Sequence, residues 1–337
     1  MECNTISVQG APAVSGLTFR GYRGPEDFPG MVAVYDACRP VDGLEMPLTV
    51  GHLERWFAHM DQCDPSRDMI VAEVGGEMVG YGRGRWFREP SGTFLHELTG
   101  HVAPAWRRRG IGRAILRWTE ARQHQVASDQ PEDVAHELFV ETYDSTQGIA
   151  ELLLGEGYAR VRNWYVMTRP LAGEIAEVPL PEGLEVRTAT PDHYRRIWNA
   201  DIEAFRDHWG FAEPPESAYA EWLEDPVAMV PALWQIAWDG DEVAGQVRSF
   251  IDHRENADLG RLRGYTEYIS VRRPWRRRGL ARALIMRSLR VLQAEGMTEA
   301  ALGVDAQNVT GALHLYESCG FRPARSGGVY RKPLRLA

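Results

Sequence analysis

The segment Val271-Arg272-Arg273-Pro274-Trp275-Arg276-Arg277-Arg278-Gly279-Leu280-Ala281 decides the fold. It reads as the end of a strand, a proline that breaks it, three arginines, and a glycine at the first turn of a helix. Upstream, Tyr265–Val271 has strand character. Downstream, Ala281, Leu284, Ile285, Leu289 and Leu292 recur at three- and four-residue intervals, the buried stripe of a helix. The first N–H groups of such a helix have no partner within it and carry the positive end of its dipole. Glycine lets a ligand come close to that backbone. The segment is therefore an anion cradle, and a pyrophosphate is its natural guest. Its spacing is neither the GxxxxGK[ST] of a P-loop nor the GxGxxG of a dinucleotide site.

The same pattern occurs earlier, where Arg107-Arg108-Arg109-Gly110-Ile111-Gly112 follows the strand Glu97–Ala103. Other landmarks also recur in order, each roughly 165 residues later. Gly16-Leu17-Thr18-Phe19-Arg20 returns as Gly183-Leu184-Glu185-Val186-Arg187. Gly76-Glu77-Met78-Val79-Gly80 returns as Asp241-Glu242-Val243-Ala244-Gly245, and Gly157-Tyr158 as Gly320-Phe321. Each copy opens with a strand, Leu17–Tyr22 or Leu184–Thr188. A hairpin follows, Met69–Val74 with Met78–Arg85, or Trp234–Trp238 with Glu242–Phe250, around a glycine-containing turn. A late strand, Glu137–Thr142 or Ala300–Asp305, precedes a helix that ends at Gly157 or Gly320. The fold class is α/β (α+β), two tandem domains each with a mixed central sheet flanked by helices. The expected layout is a loose lead-in over 1–15, domains over 16–170 and 183–337, and a linker over 171–182 with Pro179 and Pro181.

A chain of 337 residues suits two such domains. With 44% hydrophobic and 25% charged residues it has the composition of a globular protein, which excludes a largely disordered chain. No apolar run has the ~20 residues of a spanning helix. The formal charge is −9, so a protein that grips nucleic acid is not expected and any positive patch is local and meant for something small. Cys3, Cys38, Cys63 and Cys319 form no CxxC pair and have no zinc-type spacing to a histidine. They read as reduced thiols, and no metal is expected. Met1–Ser15 lacks the pattern of a signal peptide, which implies a cytoplasmic protein.

Two motifs together resemble the GCN5-related N-acetyltransferases. One is Arg-x-x-Gly-x-Gly/Ala after a strand ending in Val. The other is the later series Asn308, Ala312, Tyr316, Gly320 and Phe321. The resemblance covers nearly the whole chain as two copies, a layout that resembles the two-domain mycothiol synthases of this family. It implies acetyl-CoA as donor. The pyrophosphate would sit on Arg276, Arg277, Arg278, Gly279, Leu280, Ala281 and Arg282, with Asn308 nearby. The pantetheine would pair with the backbone of Ile269, Ser270 and Val271. In the first copy the same roles would fall to Arg107, Arg108, Arg109, Gly110, Ile111 and Gly112, with Gly100 and Val102 for the pantetheine.

The copies differ where chemistry is done. Aligned on their closing glycines, Tyr316 faces Leu153 and Asn308 faces Ser145. When an amine attacks a thioester, the departing thiolate takes a proton. A tyrosine can supply it without being ionised at pH 7. Tyr316 is thus the expected acid, and the C-terminal copy the catalytic one. The ammonium of the acceptor must first lose a proton to a base. Glu267, on the strand entering the cradle, is the expected base, with Asp252 and His253 as rivals. Asp207 and His208 lie where the family's acceptor-covering segments occur and are expected at the substrate. The expected activity is acetyl transfer from acetyl-CoA to the primary amine of a small molecule, by a monomer or homodimer without nucleic-acid or membrane partners. A non-catalytic acetyl-CoA sensor and a protein N-acetyltransferase are the alternatives.

Overall fold

In a computed structural model, described for residues 5–131, 133–308 and 311–335, both arginine-rich segments join a strand to a helix. In chain order the elements begin with β1 (Leu17–Gly21), α1 (Phe28–Asp42), α2 (Val50–Ala58), α3 (Pro65–Asp68), β2 (Met69–Val74), β3 (Glu77–Arg88) and β4 (Phe94–Val102). Then come α4 (Ile111–Ala127), β5 (His136–Tyr143), α5 (Ile149–Gly155) and β6 (Ala159–Pro170). The second round comprises β7 (Glu185–Arg187), α6 (Pro191–Phe205), α7 (Glu216–Glu224), β8 (Gln235–Asp239), β9 (Glu242–Phe250), α8 (His253–Leu259) and β10 (Arg263–Val271). It closes with α9 (Leu280–Ala294), β11 (Glu299–Asp305), α10 (Ala312–Ser318) and β12 (Arg322–Pro333). The sequence reading of the hairpins and of the cradle strands agrees with these elements to within a few residues.

The chain forms two compact units, and their borders are not those expected. One unit holds residues up to Arg162 together with Gly327–Ala337. The other is the continuous stretch Asn163–Ser326. The expected break at 171–182 therefore lies inside the second unit. There Leu171 and Ile175 are buried in its core, so apolar burial fixes a segment that its prolines suggest is a linker. The strands after Gly157 and Gly320 cause the difference. Leu138–Glu141 of β5 takes Val329–Lys332 of β12 as its antiparallel neighbour, and β11 takes residues 164–170 of β6. The lead-in is also more ordered than expected. The Ile6 N–H donates to Phe19 O at 2.8 Å, and Ile6 and Val8 pack on Ile111, Ala114 and Ile115. Cys3 lies outside the described residues.

Each unit repeats one plan. In the first, β1, β2, β3 and β4 are antiparallel neighbours, then β4 runs parallel to β5. In the second, β7, β8, β9 and β10 are antiparallel and β10 runs parallel to β11. The helix after each cradle packs on one face. Leu280, Leu284, Ile285, Leu289 and Leu292 of α9 are buried against Val247, Ala300 and Leu302. Ala281 of the expected stripe is only half-buried, and Ala283 is the buried alanine of that turn. In both units the parallel pair parts early. β10 and β11 are in register only over Arg263–Tyr265, and β4 and β5 only over Phe94–Glu97. Past those points one edge of the incoming strand is without a strand neighbour among the described residues. Among the described residues no helix is long and apolar enough to cross a membrane, and no group of three or more His, Cys, Asp or Glu is arranged to hold a metal ion.

Candidate active site

The two cradles share one backbone shape. Arg108 and Arg277 both have φ of 60°, and Gly110 and Gly279, at φ 88° and 84°, cap α4 and α9. A left-handed residue before the helix aims the first N–H groups at solvent, and no side chain caps them. Arg277, Arg278 and Gly279 are exposed. A Cβ placed on Gly279 would meet nothing within 4 Å. On Gly110 it would lie 3.0 Å from Pro12 Cβ, so the lead-in stands beside the first cradle.

The arginines expected to bind a phosphate do different work. Arg276 donates Nε–H to Val271 O at 2.9 Å and Nη2–H to Ala204 O at 3.0 Å, with Asp207 at 2.6 Å from Nη1. Arg107 repeats this with Val102 O at 2.9 Å and Asp42 at 2.7 and 2.6 Å. The first arginine of each triple is thus a strut between strand end and first helix, its guanidinium already engaged where the sequence suggests a phosphate ligand. Arg108 pairs with Glu151, Arg109 lies over the Trp106 ring, and Arg278 donates to Glu182 O. Arg282 ties α9 to Ser318. Among the described residues Arg277 makes no hydrogen bond or ion pair, and Arg109 makes none beyond its ring contact.

Asp207 is engaged likewise. Its carboxylate is held between Arg273 and Arg276, which keep it well below the usual carboxylate range. Its neighbour His208 lies near Asp305 of β11 and Asp201 of α6. Burial lowers its imidazole, against the nearby carboxylates of Asp305 and Asp201. His208 is therefore neutral near pH 7.

Glu267 stands at the parting of β10 and β11. Its Oε1 accepts the N–H of Gly303 on β11 at 2.7 Å. Burial raises its carboxyl to about 7, against the pull of that one hydrogen bond. The next residue, Tyr268, has φ of 51°, and the ladder with β9 slips between Glu267 and Ser270. This β-bulge bends the strand away from β11. Ser270 Oγ donates to Asp201 at 2.7 Å, and Asp201 also accepts from Arg248 at 2.7 Å. Ile269 and Val271 lie half-buried along the parted edge.

Tyr316 projects from α10 into the same core, its ring edge-on to Phe321 at 6.5 Å. Burial raises the phenol above its ordinary value, and the Glu267 carboxylate is near enough to add to the effect. Asn308 sits in the turn after β11, its N–H on Asp305 O at 3.2 Å. The structure thus brings Glu267, Tyr316, His208 and the edge Ile269–Val271 together. It does not bring in the rivals. Asp252 caps α8, accepting the N–H groups of Arg254 and Glu255 at 3.0 and 2.9 Å. His253 follows it as the first residue of α8, after the end of β9. In the first unit Leu153 is fully buried in the place of Tyr316.

Sequence reasoning missed Asp201, Arg248, Gly303 and the bulge at Tyr268. The first two had a signal, since Asp36 and Arg83 precede them at the spacing of the hairpin landmarks. Gly303 had none, because only the fold brings it to Glu267.

The model of the acetyltransferase (GNAT) family matches residues 33–143 and 194–321. The mycothiol acetyltransferase of Geodermatophilus obscurus is 33% identical over 264 residues, 76% of this chain and 79% of the relative. That of Thermobispora bispora is 27% identical over 315 residues, 91% of this chain and 97% of the relative. Among solved structures, a GCN5-related N-acetyltransferase from Sphaerobacter thermophilus is 25% identical with a TM-score of 0.69, covering 96% of this chain and 97% of that one. A tandem GNAT protein from the clavulanic acid biosynthesis pathway shares the fold at 18% identity, with a TM-score of 0.62 over 94% of this chain and 98% of its own.

Proposed function

The chain belongs to the acetyltransferase (GNAT) family, and from that premise we propose that its second unit moves an acetyl group from acetyl-CoA to the primary amine of a small molecule of the mycothiol class. The observation that carries this is the meeting of Glu267 and Tyr316 at the parted strands, in front of an open cradle. The edge Ile269–Val271 suits an extended amide-bearing arm, and the N-terminus of α9 with Arg277 suits its pyrophosphate.

Glu267 accepts a proton from the attacking amine, directly or through one water. A base with a pKa near 7 is half-ionised at neutral pH and still basic enough to act. The new C–N bond forms as the C–S bond breaks. Tyr316, kept protonated by burial, gives its proton to the leaving thiolate. It regains one from solvent, and Glu267 releases one. His208, neutral beside Asp201 and Asp305, is placed to orient the acceptor. The first unit has no Glu267 or Tyr316 counterpart, so it is not a second catalytic centre. The test is thiol release from acetyl-CoA across aminoglycosides, polyamines, amino acids, cysteinyl pseudo-disaccharides and peptides. Turnover with a cysteinyl pseudo-disaccharide far above the rest is expected. Preference for a peptide, or release with none of them, would refute the reading.

A further inference from the structure

β3 carries Gly80-Tyr81-Gly82-Arg83-Gly84, a strict alternation. The glycines face α4. A Cβ on Gly82 would lie 2.4 Å from Ile115, and on Gly84 2.3 Å from Gln123. The alternation turns Tyr81 and Arg83 to the other face of the sheet, where Tyr81 packs among residues of α1 and α2. Arg83 stands between Met69 of β2 and Thr99 of β4. Its one hydrogen-bond partner among the described residues is Met60 Sδ at 3.7 Å, and a thioether is a weak acceptor.

Among the described residues no carboxylate pairs with this guanidinium. Glu97, whose charge acts on it, is engaged with Arg85. Burial pushes the Cys63 thiol up to about 12 and the His101 imidazole down to about 4, so both are neutral. The ring of His101 contacts those of Tyr35 and Tyr81, at 5.1 and 5.6 Å between centroids. The second unit holds an arginine at the same ladder position and treats it differently. Arg248 stands opposite Glu267, is ion-paired to Asp201 at 2.7 Å, and is roofed by Trp222 and Tyr268. Asp36 is the counterpart of Asp201, but its carboxylate lies 3.9 Å from Arg39. Where the second unit has Glu267, the first has Thr99.

We propose that this recess of the first unit binds the carboxylate of a small organic acid on Arg83, with the rings of Tyr35, Tyr81 and His101 against its body. A half-buried, unpaired guanidinium lowers stability unless a ligand completes it. Its planar fork matches a carboxylate in two parallel hydrogen bonds. With Arg85 already answered by Glu97, the one guanidinium left over fits a charge of one better than a phosphate. The site is independent of acetyl transfer, because Thr99 and Leu153 cannot replace Glu267 and Tyr316.

The experiment melts the full chain with benzoate, acetate or inorganic phosphate. Benzoate at about ten times its Kd should raise the melting temperature by roughly 2–4 °C, and phosphate should do less. Arg83→Met should melt no lower than wild type in buffer, lose the benzoate shift, and keep acetyl-CoA turnover. Thr99→Glu supplies the missing carboxylate from within, as Glu267 does opposite Arg248. It should also lose the shift, and it decides the matter if Arg83→Met fails to fold. An equal benzoate response in wild type and Thr99→Glu, a larger response to phosphate, or no response to any probe would overturn the proposal.

Discussion

Replacing Glu267 by Gln tests the proposed base with little structural change. The Oε1 that accepts the Gly303 N–H at 2.7 Å is still a carbonyl oxygen in glutamine, so the bridge to β11 is kept. What is lost is the proton acceptor. With a carboxyl at about 7, roughly a tenth of the wild-type molecules carry the base at pH 6, half at pH 7 and about nine tenths at pH 8. kcat at saturating acceptor and acetyl-CoA should therefore rise about fivefold from pH 6 to 7 and less than twofold from 7 to 8. Glu267→Gln should lower kcat by roughly 10²- to 10⁴-fold and flatten this limb, with KM for acetyl-CoA little changed. Stability gives an independent readout. The folded carboxyl is raised from 4.5 to about 7, so between these values the folded state holds a proton that the unfolded chain has released. Wild-type stability should thus fall as pH rises through that window. The full shift is worth about 3 kcal/mol at 1.36 kcal/mol per unit. Partial exposure of the side chain reduces it to about 1–2 kcal/mol. The variant should lack this decline and be at least as stable as wild type at pH 8. A variant that keeps the kinetic limb at the same midpoint, or a kcat within a few-fold of wild type, would refute Glu267 as the base.

Tyr316→Phe keeps the ring against Phe321 and removes only the hydroxyl; kcat should fall by roughly 10²- to 10⁴-fold while acetyl-CoA affinity, read by calorimetry, changes little. A wild-type kcat would leave Tyr316 a core aromatic. Gly279→Glu should abolish acetyl-CoA binding in the second unit, and Gly279→Ala, which meets the same positive φ of 84° without the charge, separates repulsion from backbone strain. Gly110→Glu should leave most turnover intact, and its loss in a folded variant would mean that the catalytic half is misassigned. Ending the chain at Ser326 removes the residues that pair with β5 and the Arg331 bridges to Glu89 and Glu137. Limited proteolysis should then cut the first unit well before the second; equal resistance would show that the last strand contributes little.

Local signals made much of this legible. The hairpins, the cradle strands and the stripe of α9 follow from alternation and three-to-four spacing, which depend on neighbours in sequence. Glycine before the helix marks the cradle for the same reason. The contacts of Arg107 and Arg276 were not legible, because nothing near a guanidinium in the sequence shows that a strand-end carbonyl and Asp42 or Asp207 come within its reach. The last strand of each copy was missed for another reason. Which sheet a strand joins is decided by pairing between residues far apart in the chain, and Pro179 and Pro181 suggested a break where Leu171 and Ile175 are in fact buried.

The bulge explains why one motif yields two different sites. In the first unit Thr99 and His101 face Arg83 and Tyr81, two residues against two. In the second, Glu267 and Ser270 face Arg248 and Gln246, with three steps against two. One residue has been added, and a constant offset counted back from the cradle sets Glu267 against Leu98, whereas the ladder sets it against Thr99. The distinction is large, because one step along a strand exchanges its faces. Leu98 packs in the core with Leu138 and Leu153, where a carboxylate could not stay charged. Glu267 instead lies on the face of Arg248 and Asp201, at the margin of water, with a backbone N–H to hold it. The left-handed Tyr268 is the cost of that placement, on the order of 1–2 kcal/mol for a residue with a Cβ. Strain of this kind persists where surrounding structure enforces it, and here it falls beside the residue proposed to take the proton.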